Sequence, residues 1–435
     1  MRMRNHSNKA GVFSILFMGL GQLYNKQYFK GFSFALLEVF FILFMLPNTV
    51  KGLWGLATLG TVPQKMENGK IIQGDHSVFL MVFGIISIVV FFIFAVLYII
   101  NVKDAFKVGK LWDQGKKPNK IIESLGVLLD KGFPYLLLTP AGIFTLFLTV
   151  VPLVFGIMIA FTNYSSPNHL PPRALVDWVG FENFINLFKL PSLSRTFLGV
   201  ALWTVTWAAL ATTTTFFMGL FFAVLINAKG ILLKKFWRTV FILPWAVPGL
   251  ISVLIMRNMF NGQFGPINKY LQALGMSPAP WFSDPAWAKA TCILVNLWLG
   301  FPYYMALMSG VITSISKDLY EAAAIEGASA GQQFRRITLP LVLFATAPLL
   351  IMGFAYNFNN FTLIYLLTSG NPTNAAYSFA GHTDILLSWL YKLTLEQNQF
   401  HMASVVSIMI FLVIAAVSVI NFMNTKSFRE EDMIQ

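Results

Sequence analysis

Eight stretches of the chain are apolar enough, and long enough, to cross a lipid bilayer. They lie at about 30–47, 79–100, 134–162, 197–226, 239–258, 288–312, 339–367 and 403–424. A crossing helix needs about 20 largely apolar residues, because backbone N–H and C=O groups find no water in hydrocarbon and must pair within their own segment. The chain is therefore expected to be an all-α polytopic membrane protein. Only 11% of its residues are charged, against about 25% in soluble domains. The segment 10–24 is too short for a full span and reads as a half-span or interfacial helix. The start of the chain (Arg2, Arg4 and Lys9 before apolar Val12 to Leu20) mimics a signal peptide, but no small-residue cleavage site follows and it reads as retained.

Placing the N-terminus in the cytoplasm puts 21 Lys and Arg in the cytoplasmic stretches 1–30, 101–133, 227–238, 313–338 and 425–435, and ten elsewhere. The positive-inside rule favours this orientation, with both termini cytoplasmic and an even number of spans. It also accounts for the formal charge of +13 without nucleic acid. Two blocks emerge. Residues 1–132 form a two-span appendage with a basic linker (Lys103, Lys107, Lys110, Lys116, Lys117, Lys120 and Lys131), and residues 133–435 carry six spans. The single cysteine, Cys292, excludes an intrachain disulfide.

The last six spans hold no Asp, Glu, Lys, Arg or His in their cores. Ion-coupled carriers keep such groups at mid-membrane, so energy is expected to arrive from outside the bilayer. Glu38 is the one intramembrane acid and is expected to face neighbouring helices. Neither paired carboxylates, a metal cluster nor an activated nucleophile is legible. His6, His76, His169, His382 and His401 are scattered, and an enzyme or a passive channel is disfavoured.

The loop 313–338 carries more information than any other. Asp318 and Glu321 stand at capping-box spacing, Ala322 to Ala324 extend a helix, and Gly327 stops it. A second short helix is expected over about 331–337, ending at Leu339-Pro340. Pattern alone allows either an ordinary helical hairpin or a lever fitted to a partner. Asn296, Gly300 and Tyr303 share one helical face. Tyr356 and Asn360 are expected to share a face of the next span, with Asn357 beside them. Amides and phenols both donate to and accept from hydroxyls, and Gly300 and Gly353 leave room. The same amides could equally bond helix to helix.

Glu321-Ala322-Ala323, three residues, Gly327, nine residues, then Ile337-Thr338-Leu339-Pro340 resembles the EAA loop of ABC-importer permeases. From Phe133 onward the chain is similar to MalF-type permeases of maltose and maltodextrin importers. The marks are Leu243-Pro244-Trp245-Ala246-Val247-Pro248, Asn296 to Tyr303 and Phe354 to Phe361. The resemblance implies a six-helix permease core, 133–435, with an EAA coupling loop at 313–340. In it Glu321, Ala322, Ala323, Gly327 and Pro340 couple to an ATPase homodimer, and Glu321 is the anchor. The partners implied are a second, MalG-type permease, the ATPase pair and an extracellular sugar-binding protein, all at the membrane lipid. ATP and Mg would serve the ATPase, leaving this chain without a cofactor or catalytic residue. The implied sugar contacts are Asn296, Leu299, Gly300, Tyr303, Gly353, Tyr356, Asn357 and Asn360. Gly353 replaces a hydroxyl residue and Tyr356 a phenylalanine, which leaves the preferred chain length open between maltodextrins and raffinose-type or α-glucoside sugars. The short loop 163–196 points to a single-membrane cell with a lipid-tethered binding protein. Gly19-Leu20-Gly21-Gln22-Leu23-Tyr24 with Lys30-Gly31 resembles a small two-span module of unassigned role.

Overall fold

The computed structural model describes residues 5–67, 70–117, 130, 132–170, 173–228 and 230–423. Lys120, Lys131, Lys229 and the whole stretch 425–435 used in the charge count thus lie outside the described residues, as do positions 1–4. The fold is helical apart from one small hairpin, β1 (Lys65–Glu67) with β2 (Lys70–Ile72), antiparallel with Lys65 opposite Ile72. The chain divides into two compact units, Met1–Gly180 and Phe181–Gln435.

The first unit contains α1 (His6–Leu16), α2 (Leu20–Tyr24), α3 (Tyr28–Thr58), α4 (Ser77–Asp113) and α5 (Phe133–Ile159). The last three are long and apolar enough to cross a membrane. Segment 10–24 is a broken pair, α1 and α2, laid against α4. Polar side chains hold it there. Asp113 accepts from the His6 and Ser7 amides at the start of α1, and Asn25 donates to the Ala105 carbonyl. Glu38 is buried, as expected, and its carboxylate accepts from the Met18 amide at the break between α1 and α2. The α3–α4 crossing is close because glycines line it: a Cβ on Gly52 or Gly84 would collide with Ser87 or Leu56.

The second unit holds α6 (Glu182–Lys189), α7 (Pro191–Asn227), α8 (Lys234–Ala246), α9 (Gly249–Met259), α10 (Pro266–Ala273) and α11 (Pro285–Ser314). It continues through α12 (Lys317–Ile325), α13 (Ala330–Gln333), α14 (Leu339–Phe358), α15 (Phe361–Thr368), α16 (Leu386–Tyr391) and α17 (Phe400–Met423). α7 and α11 are unbroken span-length helices. Their facing sides, Trp203, Trp207, Phe216 and Leu220 on α7 with Cys292, Val295, Phe301 and Met305 on α11, form the core of the unit. Counting each bent pair as one, seven described helices or pairs suffice to cross a membrane; 403–424 falls on α17, whose described apolar run is Phe400–Ala416.

Three of the four described π-helical turns, 41–45, 146–150 and 334–338, are followed by a proline after one intervening residue: Pro47, Pro152 and Pro340. Proline offers no N–H, and its ring presses on the carbonyl four residues back. Widening the turn by one residue relieves both problems without breaking the helix. This corrects the reading at Pro340. The helix expected to end there runs from Ala330 through the wide turn into α14.

Two further expectations change. The stretch 239–258 is not a straight span but α8 and α9 meeting at 91°. Pro248 is the cause, since a residue before proline is driven to extended backbone, and Val247 sits at φ −92°, ψ 133°. The stretch 339–367 is interrupted at Asn359–Asn360, where Asn360 caps α15 by accepting from the Leu363 amide at 3.2 Å.

Candidate functional site

The elbow between α8 and α9, the middle of α11 and the end of α14 enclose a cavity of about 730 Å³. This lies within the roughly 300–1,000 Å³ typical of small-molecule sites. All eight residues singled out in the sequence line it: Asn296, Leu299, Gly300 and Tyr303 from α11, Gly353, Tyr356 and Asn357 from α14, and Asn360 at the cap of α15. Among the described residues, its wall contains no Asp, Glu, Lys, Arg or His.

Their chemical states differ. Asn296 is 6% exposed, yet its amide has no hydrogen-bond partner among the described residues. An uncommitted amide at such burial is costly unless a ligand or water meets it. Asn357 is partly committed: its Nδ2 donates to Thr212 Oγ1 at 2.9 Å, while its main-chain carbonyl accepts from Trp207 Nε1 at 2.9 Å. Asn360 spends its Oδ1 on the α15 cap. Since α14 ends at Phe358, Tyr356 and Asn360 do not share a helical face as expected; the cap turn brings Asn360 back to the cavity. Tyr356 is 70% exposed and Tyr303 38%. Trp245, on the elbow, stands 6.0 Å from the Tyr303 ring. The wall thus combines flat aromatic faces with neutral donors and acceptors.

The two glycines do not leave empty space. A Cβ on Gly300 would sit 2.8 Å from Thr215 Cγ2, so this glycine admits the close approach of α7. At Gly353 the room is taken by the hydroxyl of Tyr304. Tyr304, Thr215 and the elbow residues Trp245, Val247 and Pro248 line the cavity but were absent from the sequence-based set. The spacing of Pro244 and Pro248 was the available signal for the elbow. Tyr304 lies one position past the face defined by Asn296, Gly300 and Tyr303, and so escaped it.

The loop 313–338 folds as two short helices. The first is capped by Ser316, whose Oγ accepts from the Asp318 amide at 3.2 Å, and not by Asp318 itself. Asp318 occupies the first turn, where its charge opposes the helix dipole. The capping box belongs instead to α13: the Ser329 amide donates to Gln332 Oε1 at 2.7 Å and the Gln332 amide to Ser329 Oγ at 3.4 Å. Gly327 ends α12 at φ +79°, a left-handed conformation that glycine takes without penalty. Tyr320 and Thr338 share a hydroxyl–hydroxyl bond of 2.8 Å that ties α12 to the base of α14. Glu321, Ala322, Gly327 and Pro340 are exposed and Ala323 half-buried, beside an 88% exposed Ile325.

A third cluster fixes the segment after α15. Asp384 is fully buried; it accepts from Lys392 Nζ at 2.6 Å, the Gly381 amide at 2.7 Å and Ser388 Oγ at 2.8 Å. Nearby His382 has its pKa held below the usual imidazole range by burial and by Lys289, so it is neutral at pH 7.

Residues 215–426 match the family described as "Binding-protein-dependent transport system inner membrane component". The chain is 41% identical, over 98% of its length and 99% of the relative's, to the galactooligosaccharides transport system permease protein GanP of Bacillus subtilis. It is 38% identical over 99% of both chains to the maltodextrin transport system permease protein MdxF of the same organism. To the maltose/maltodextrin permease MalF of Vibrio vulnificus it is 42% identical, over 60% of this chain and half of that one. Among solved structures, a bacterial ABC transporter that imports alginate aligns at TM-score 0.56 with 22% identity, covering 70% of this chain and 99% of that one. Full-length identity of this order with transport permeases, together with the helical fold, establishes that the chain belongs to the inner-membrane permeases of binding-protein-dependent ABC importers and is of the MalF type.

Proposed function

We propose that this permease passes a neutral oligosaccharide, of the maltodextrin type, through the cavity between the α8–α9 elbow, α11 and α14. The observation that carries the reading is the convergence of eight predicted residues on one cavity whose described wall is uncharged and where the Asn296 amide has no partner among the described residues. Phenols and amides replace the water lost by sugar hydroxyls, and the Trp245, Tyr303 and Tyr356 rings cover the apolar C–H faces of the pyranose. In this reading Glu321, Ala322, Ala323, Gly327 and Pro340 form a lever seated in an ATPase dimer. That dimer alone uses ATP and Mg, a second permease completes the pathway, and an extracellular binding protein delivers the sugar. One solved relative is described as bound to a periplasmic protein carrying an alginate pentasaccharide, which supports the binding-protein partner. Residues 133–435 are the translocating core, both termini are cytoplasmic, and the short loop 163–196 fits a single-membrane cell.

A galactooligosaccharide is the second reading, favoured by the 41% identity with GanP. Uptake competition among labelled maltotriose, raffinose and galactotriose separates the two. Tyr356→Ala is expected to lower uptake of the best competitor about tenfold, the loss of one aromatic platform. An unchanged uptake profile removes Tyr356 from the pathway.

A further inference from the structure

We infer that Tyr304 is a specificity-determining residue of this cavity, its phenol oxygen binding one hydroxyl of the sugar in the notch left by Gly353. The inference rests on the cavity being the sugar pathway. The Tyr304 ring is 6% exposed and clamped along its length. Its Cβ rests on Gly219, and Phe216 and Tyr303 meet it edge-on at 5.7 Å and 5.3 Å. The tip then lies against Gly353, where any side chain would collide with the hydroxyl. Gly219 and Gly353 thus fix the ring at both ends.

Tyr304 lines the cavity, and its oxygen has no hydrogen-bond partner among the described residues. Gln27 Oε1 is the one fully buried partnerless side-chain oxygen among them, so the Tyr304 oxygen opens toward the cavity. A phenol held rigidly, with its oxygen uncommitted, loses little entropy on meeting a ligand hydroxyl. A site built to bond one hydroxyl rejects an analogue that lacks it. Thr212 Cγ2 would lie 3.3 Å from a Cβ at 353 and Tyr304 Cζ 3.6 Å, so the phenol oxygen alone bars a small side chain there.

The test is uptake by cells carrying chromosomal variants, using the labelled trisaccharide, maltotriose or galactotriose, that wild-type cells take up, and its monodeoxy analogues. Permease abundance in the membrane is measured in parallel. Tyr304→Phe is expected to raise the transport KM about tenfold at unchanged abundance. One monodeoxy analogue that wild-type cells discriminate against about tenfold should enter Tyr304→Phe cells as well as the parent sugar does. Gly353→Ser should impair uptake, and the Tyr304→Phe/Gly353→Ser double variant should regain it, since the serine hydroxyl then fills the vacated notch. If Tyr304→Phe keeps wild-type uptake and discrimination while Asn296→Ala loses uptake, Tyr304 is not a contact although the cavity is the pathway. If Asn296→Ala is silent as well, the cavity is not the pathway and the inference falls with it.

Discussion

Gly327→Pro is expected to cut sugar uptake by about 100-fold while leaving the permease in the membrane at normal abundance. Gly327 sits at φ +79° and its amide donates to the Ala324 carbonyl at 3.0 Å. Proline is locked near φ −65° and has no N–H, so the turn between α12 and α13 must rearrange at a cost of about 3 kcal/mol or more. Beyond the turn, the Gln333 side-chain amide reaches the Tyr320 and Ala328 carbonyls at 3.4 Å, and the Tyr320–Thr338 bond ties α12 to the base of α14. The damage therefore stays local. Glu321→Ala probes the same lever more gently: the side chain is exposed, so thermal stability should not move while uptake falls. Sugar-stimulated ATP hydrolysis and uptake, measured on the same membranes, check both. Wild-type uptake in Gly327→Pro membranes removes the coupling role.

Asp384→Ala is expected to destabilise the segment between α15 and α16 by about 3–5 kcal/mol, the usual cost of leaving a buried charge without its partner. The carboxylate gathers Lys392, Ser388 and the Gly381 amide at 2.6–2.8 Å. Gly370 packs so closely on it that a Cβ there would strike the carboxylate. Hydrogen exchange over 369–385 should rise steeply in Asp384→Ala. The Asp384→Asn/Lys392→Met double variant should recover most of the protection, because it removes the stranded ammonium. Equal exchange in the single and double variants would show that the ion pair is not what holds this segment.

The α11 face was legible because it needed only the helical period: Asn296, Gly300 and Tyr303 converge once 288–312 is a helix. The eight stretches were legible for the same reason, since hydrocarbon leaves little choice but helix. Breaks inside them were not. Apolar content is blind to the 91° elbow, which arises from Pro248 acting on Val247 and which swings Trp245 into the wall. The end of α14 turns on whether the Asn360 side chain bonds its own chain or a ligand, and only geometry decides that. Capping failed by a small margin: the helix begins at Lys317 and its cap is Ser316, which accepts from the amide of Asp318 two residues on. Gly353 read as a gap because sequence cannot show that Tyr304, from another helix, already fills it.

Protection of a cysteine at position 356 tests the central claim most directly. Native Cys292 is fully buried and will not compete for a water-soluble maleimide, whereas position 356 is open. In the assembled importer carrying Tyr356→Cys, saturating maltotriose or galactotriose with binding protein and ATP should slow labelling at least about tenfold, as the sugar fills the cavity. Labelling at the same rate with and without either sugar, in membranes that still accumulate it, would contradict the account.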